Sequence, residues 1–179
     1  MKKILETERL YLREFTLEDA SAFMELNSNP NVIRYTGDGL IENLERSKEI
    51  LNTVTFPQYK NKLGRWAVHL KSGNEFIGWC GLKYIEQLDE TDLGYRFFEK
   101  HWGKGYATES AKAVLEYGFN VLELDTIVAR AAIENTASHR VIKKVGFVFE
   151  KEGEEHGDKI YKYRLSRIQY LALYCLSKA

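Results

Sequence analysis

Leu93-Gly94-Tyr95-Arg96-Phe97-Phe98-Glu99-Lys100-His101-Trp102-Gly103-Lys104-Gly105-Tyr106-Ala107-Thr108-Glu109-Ser110-Ala111-Lys112-Ala113-Val114-Leu115-Glu116-Tyr117-Gly118 reads as a strand, a glycine loop and a helix. The strand covers residues 93–98 and is rich in aromatics. The loop is Trp102-Gly103-Lys104-Gly105, after which Ala107, Ala111, Val114 and Leu115 recur at helical spacing toward Gly118, where the helix is expected to stop. Two glycines where a helix begins let the backbone approach a ligand while several unpaired amide N–H groups point outward. The helix dipole adds partial positive charge there, so the loop reads as an anion cradle and a diphosphate as its guest.

What the loop lacks narrows the guest. A mononucleotide P-loop needs Lys followed by Ser or Thr, and here Gly105 follows Lys104. The dinucleotide pattern G-x-G-x-x-G/A, begun at Gly103, meets Thr108 where a third small residue belongs. Neither nucleotide motif fits.

Trp102-Gly103-Lys104-Gly105-Tyr106-Ala107 resembles the acyl-coenzyme A loop of the GNAT acetyltransferases, [QR]-x-x-G-x-[GA], with Trp102 standing in the first position. Leu93-Gly94-Tyr95 followed by that string resembles the RimJ/RimL-type branch, where Trp is common at this place. Thr7-Glu8-Arg9-Leu10-Tyr11-Leu12-Arg13 with Thr16-Leu17-Glu18-Asp19-Ala20 looks like the branch's opening strand and helix. Asn135, Ser138, Val141, Lys144, Gly146 and Phe147 match its N-x-x-S-x-x-V-x-x-K-x-G-F segment. The resemblance covers about residues 5–165.

It implies an α/β (α+β) GNAT fold, a mixed, mostly antiparallel sheet of about seven strands flanked by helices and splayed between the fourth and fifth. It also implies acetyl-CoA as the acetyl donor. Tyr95 and Phe97 would lend backbone groups to pantetheine, and Gly103, Lys104, Gly105, Tyr106, Ala107 and Thr108 would hold the diphosphate. Asn135 and Ser138 would face the thiol end, with Ser138 as acid or hydrogen-bond donor to the departing sulfur, since the tyrosine many GNAT proteins use there is Ile142 in this chain. Asp92, where branch members carry Glu, would be the functional carboxylate, with Glu90 or water as alternatives. Helix capping is the bland role open to Asn135 and Ser138.

Composition is consistent with this. A length of 179 residues with 44% hydrophobic and 29% charged residues predicts one domain over 1–179, ending in a helix over about 166–176. Lys plus Arg equals Asp plus Glu at 26 each, which argues against nucleic-acid or membrane-surface binding. Cys80 and Cys175 form no C-x-x-C pair, and the four histidines show no i, i+4 pairing, so neither a redox motif nor a metal is indicated. With no export signal or long apolar run, a cytoplasmic protein is expected.

Along the chain, strands are predicted at 9–15, 64–70, 75–82, 90–98, 125–130, 147–151 and 159–165. Helices are predicted after Thr16, across 41–51 and across 135–145, and residues 31–39 read as irregular. Arg140 and Lys143 are candidates for the coenzyme 3′-phosphate. The acids Glu150, Glu152, Glu154, Glu155 and Asp158 crowd the tip of the last hairpin, where they would suit a cationic acceptor or stand as a solvated charge run. His139 reads as solvated or as a neighbour of the site. Three functions stay open: an N-acetyltransferase acting on a small-molecule, peptide or protein amine, including a ribosomal-protein N-terminus; a catalytically inactive acyl-CoA-binding regulator; and a coenzyme-free interaction module. Both monomer and homodimer are open.

Overall fold

In the computed structural model, which describes residues 3–155 and 157–174, the alternating segments form β1 (Lys3–Glu6), β2 (Leu10–Arg13), β3 (Gly64–Leu70), β4 (Phe76–Ile85), β5 (Glu90–Phe97), β6 (Thr126–Ala132), β7 (Val148–Glu155) and β8 (Asp158–Ser166). They build one sheet of eight strands in the order β1-β2-β3-β4-β5-β6-β8-β7. Neighbours are antiparallel except β5 and β6, which run parallel. Helices α1 (Ala20–Asn27), α2 (Pro30–Ile33), α3 (Leu44–Ile50), α4 (Phe56–Tyr59), α5 (Tyr106–Asn120), α6 (Thr136–Lys144) and α7 (Arg167–Tyr174) complete the fold.

The period-two alternation of β3 assigns the two faces. Trp66 and Val68 pack into the main core with Ala111, Val114, Leu115 and Phe119 of α5, while Ala67 between them joins Phe15, Phe23 and Leu51 in a second cluster under α1 and α3. The chain therefore buries α5 on one side of the sheet and the α1–α3 layer on the other. Between these layers, β5 and β6 are in register at Asp92↔Val128. This is the one register pair between them among the described residues, which fits the splay the resemblance implies.

Several boundaries differ from expectation. The sheet has eight strands rather than about seven, because Lys3-Ile4-Leu5-Glu6 pairs with β2 as an edge strand too short to show a period. Residues 31–39 are not wholly irregular, since Asn29 caps the short α2 by accepting from the Asn31 N–H at 2.9 Å. The helix expected over 41–51 begins at Leu44 and continues through a π-turn at Leu51–Thr55, where Val54 is exposed. Gly118 does not stop α5, which runs on to Asn120. A Cβ there would lie 2.7 Å from Ile127 Cδ1 and 3.0 Å from Leu82 Cδ1, so glycine at 118 lets helix and sheet approach closely. The expected helix over 166–176 is α7 as far as Tyr174, opened by a reciprocal cap between Ser166 and Gln169; its last residues and Cys175 lie outside the described residues.

Candidate active site

The glycine loop is held from three sides. Gly103 and Gly105 sit at φ of 73° and 85°, the left-handed region where only glycine is unstrained. Trp102 Nε1 donates to Phe97 O at 2.8 Å, tying the loop to the end of β5. Arg9 donates to Lys104 O at 3.1 Å and stacks on Tyr106, its Cζ 4.6 Å from the ring centre.

Helix α5 has no side-chain cap at Gly105, so the N–H groups of its first turn remain available. Glu109, the acid of that turn, is directed away from them: it accepts from Thr7 Oγ1 at 2.6 Å, Arg9 N at 2.9 Å and Arg9 Nε at 2.7 Å. Partial burial would raise the Glu109 carboxyl, but these donors hold it below the usual carboxylate range. The Thr7-Glu8-Arg9 motif thus serves as the bracket that keeps a negative charge off the cradle.

On α6, Asn135 is the cap, its Oδ1 accepting from Ser138 N at 3.1 Å. The capping role belongs to the Asn135 side chain and uses only the Ser138 backbone, which leaves the Ser138 hydroxyl out of it. Ser138 O accepts from Tyr95 Oη at 3.3 Å, and burial pushes the Tyr95 phenol well up from its ordinary value. Phe97 is buried, and its carbonyl already accepts from Trp102.

Two cavities adjoin at the carboxyl end of β5. One, of about 850 Å³, is lined by Gly103, Gly105, Tyr106, Ala107 and Thr108 on one wall and by Asn135, Ser138, Arg140 and Lys144 of the α6 segment on the other. The second, of about 680 Å³, opens on the α1–α3 side and is lined by Asp92, Gly94, Trp79 and Arg130 among others. Tyr35, Thr36, Tyr95, Arg96, Asn135 and Ser138 line both. A ligand held on the loop can therefore meet another at the strand opening.

The sequence model of the Acetyltransferase (GNAT) domain matches residues 9–148. The chain belongs to the GNAT family. It is 37% identical over 155 residues, 86% of each chain, to the uncharacterized N-acetyltransferase YoaA of Bacillus subtilis. A GNAT-family acetyltransferase from Bacillus anthracis superposes with a TM-score of 0.80 at 28% identity, covering 93% of this chain and 99% of that one. The structure of RimL, a ribosomal L7/L12 alpha-N-protein acetyltransferase in complex with coenzyme A, shares the fold with a TM-score of 0.80 at 18% identity, over 92% of this chain and 98% of that one.

This GNAT protein is an acetyl-CoA-dependent N-acetyltransferase. The uncapped start of α5, the open space where a Cβ at Gly103 would meet nothing within 4 Å, and the diversion of Glu109 all fit an anionic diphosphate. Arg140 and Lys144 line the same cavity, whereas Lys143, expected beside Arg140, does not. Among the described residues, no group of three or more His, Cys, Asp or Glu is arranged to hold a metal, and no helix is long and apolar enough to cross a membrane.

The carboxylates of this GNAT site are more engaged than the sequence suggested. Asp92 is buried, with Oδ2 2.7 Å from Arg65 Nη2 and Oδ1 3.2 Å from Arg130 Nη1. Glu90 pairs with Arg130 and Lys162. Of the hairpin acids, Glu150 is drawn to Arg164 at 2.7 Å and Lys162 at 3.1 Å, while Glu155 and Asp158 line the cavity on the α1–α3 side. His139 is buried rather than solvated, with Nδ1 2.9 Å from Tyr163 Oη and Nε2 3.1 Å from Ile133 O, a packing role behind α6.

Arg65, Trp79, Arg96 and Arg130 are the site residues that sequence reasoning missed. Trp79 stands between two guanidiniums, the Cζ atoms of Arg65 and Arg96 each 5.3 Å from its ring centre. The available signal was an arginine, Arg96, within an aromatic-rich strand, but its pairing with Trp79 across β4 and β5 needs the register Trp79↔Arg96.

Proposed function

We propose that this protein transfers the acetyl group of acetyl-CoA directly to a primary amine, either the α-amine of a peptide or protein or that of a small molecule, within one ternary complex. The meeting of the two cavities at Tyr95, Asn135 and Ser138 carries this reading, because donor and acceptor can occupy adjoining cavities and touch where these residues line both. The RimJ/RimL-type motif around Trp102 supports an acceptor at a chain terminus. A cytoplasmic reaction follows from that reading.

When bound, acetyl-CoA supplies a thioester: a C–N bond forms, the C–S bond breaks, the amine loses a proton and the thiolate gains one. The backbone amides of residues 103–108 hold the diphosphate end, with Tyr95 and Phe97 beside the pantetheine arm. The Phe97 N–H is the donor for oxygen charge as it develops. Ser138 donates toward sulfur, and Asn135 fixes the turn that carries Ser138.

Asp92 takes the amine's proton through water. Each of its oxygens already accepts one guanidinium N–H, so a bridging water uses the remaining lone pairs. An α-amine, with a reference pKa near 7.7–8.0 against about 10.4 for lysine, offers roughly a few hundred-fold more neutral nucleophile at neutral pH and asks less of such a base.

The test is release of coenzyme A thiol from acetyl-CoA with N-terminal peptides, amino acids and polyamines, with initial rates measured at varied concentrations of both substrates. Intersecting double-reciprocal lines are expected. Parallel lines, or an acetylated enzyme trapped without acceptor, would contradict direct transfer.

A further inference from the structure

We infer that the acceptor carries a carboxylate, or a group of the same charge and shape, close to its amine, and that Arg96 with Trp79 receives it. The inference rests on the amine-acetylation reading above and narrows its acceptor.

The charges of the acceptor-side cavity differ in burial. Of its guanidiniums, Arg65, Arg96 and Arg130 have side chains only 19%, 10% and 8% exposed, whereas Arg46 is 56% exposed. Among the carboxylates that line it, Asp92 is comparably buried at 12%, whereas Asp38 and Glu155 are 60% and 37% exposed and Asp158 lies on the surface. Arg65 and Arg130 are matched by Asp92, Glu90 and Glu155, so Arg96, whose carboxylate partner among the described residues is the exposed Asp38, is the guanidinium most open to a competing ligand.

Two side chains that line this cavity each carry a donor with no acceptor. Arg96 Nε and Trp79 Nε1 are buried without a hydrogen-bond partner among the described residues. Guanidinium and indole N–H groups can only donate, so an ammonium-bearing polyamine, itself donor-only, cannot satisfy them, whereas a carboxylate can. The two side chains are stacked, and Arg96 lines both cavities, so a group bound there brings its neighbouring amine to the strand opening.

Asp38 shows the chemistry Arg96 accepts. Its Oδ2 lies 2.7 Å from Arg96 Nη2, while Nη1 donates to Asn27 Oδ1. Asp38 sits in the irregular segment after α2, so an incoming carboxylate would exchange with an exposed one of the chain's own and leave no buried charge unpaired.

The same chemistry can come from a free amino acid or from an acidic residue at a peptide N-terminus. Acetylation rates with glutamate, with a peptide beginning Asp-Glu, with the amide counterpart of each, and with spermidine separate these sources. Carboxylate-bearing acceptors are expected to exceed their amides in kcat/KM by roughly ten-fold or more. Arg96→Gln should raise KM for the acidic acceptors by a similar factor and leave the amides nearly unmoved. Asp38→Asn, at an exposed position, should lower that KM because the competing carboxylate is gone, and it carries the test if Arg96→Gln does not fold.

Preference for spermidine or for the amides, or an Asp38→Asn variant whose KM is unchanged or raised for acids, overturns the inference while acetyl transfer stands. No thiol release with any acceptor overturns the acetyl-transfer reading as well.

Discussion

Arg65 lies flat across Gly94: a Cβ at residue 94 would sit 2.6 Å from Arg65 Cζ. From this position Arg65 donates to Gly81 O at 2.5 Å, to Asp92 O at 3.0 Å and to Asp92 Oδ2 at 2.7 Å. The glycine of Leu93-Gly94-Tyr95 is therefore a space-making residue, and the arginine it admits braces β3, β4 and β5 next to the point where β5 and β6 part. Gly94→Ala should displace Arg65 and leave Asp92 short of a partner, lowering stability by about 1–3 kcal/mol. Thermal melting reads this directly, and an unchanged Tm would refute the bracing role.

Gly105→Glu should abolish coenzyme A binding, since it places a carboxylate at the start of α5, beside the amides assigned to the diphosphate. Gly105→Ala is the milder control: its Cβ would be 3.3 Å from Arg9 Nη2 and its φ of 85° strained, with a cost of about 1 kcal/mol in stability. Calorimetric titration with coenzyme A distinguishes the two. Undiminished affinity in the glutamate variant would remove the loop from the binding site.

Ser138→Ala should lower kcat by roughly ten- to a hundred-fold with coenzyme affinity unchanged. The capping bond is retained, because it uses the Ser138 N–H. Full turnover in this variant would exclude the hydroxyl from the reaction. Asp92→Asn should move the acidic limb of the pH–rate profile; a profile that only falls in height would leave Asp92 as a brace between Arg65 and Arg130.

Acid should loosen the loop through Glu109. Its folded-state carboxyl titrates below the ordinary value near 4.3, so the stability it contributes is present above about that pH and is lost as pH falls through the lower folded value. Melting of the wild type and of Glu109→Gln should therefore differ at neutral pH and converge in stronger acid. A gap between the two that stays constant over that range would show that the ionised carboxylate is not what holds Thr7 and Arg9.

The helical and strand periods around the glycine loop were legible in the sequence because they depend on nearest neighbours along the chain. The resemblance carried by the motif also implied a splay at this place, and a single register pair, Asp92↔Val128, joins β5 to β6 among the described residues. Glycine was ambiguous: at 105 it marks a helix start, at 118 it marks close contact with Ile127 and Leu82, and residue spacing alone does not separate these roles. The ion pairs were less legible still. Glu109 finds Thr7 and Arg9, and Asp92 finds Arg65 and Arg130, across gaps in sequence that no local period spans. The short β1 was missed because four residues paired along one edge carry too little pattern to stand out.

A crystal structure with coenzyme A bound tests the central claim most directly. The diphosphate is expected on the backbone amides between Gly103 and Thr108, with the pantetheine arm running past Tyr95 to the opening between β5 and β6 and its sulfur near Ser138. Coenzyme seated elsewhere on the chain, or a sulfur far from that opening with the acceptor-side cavity shut off from it, would contradict the account.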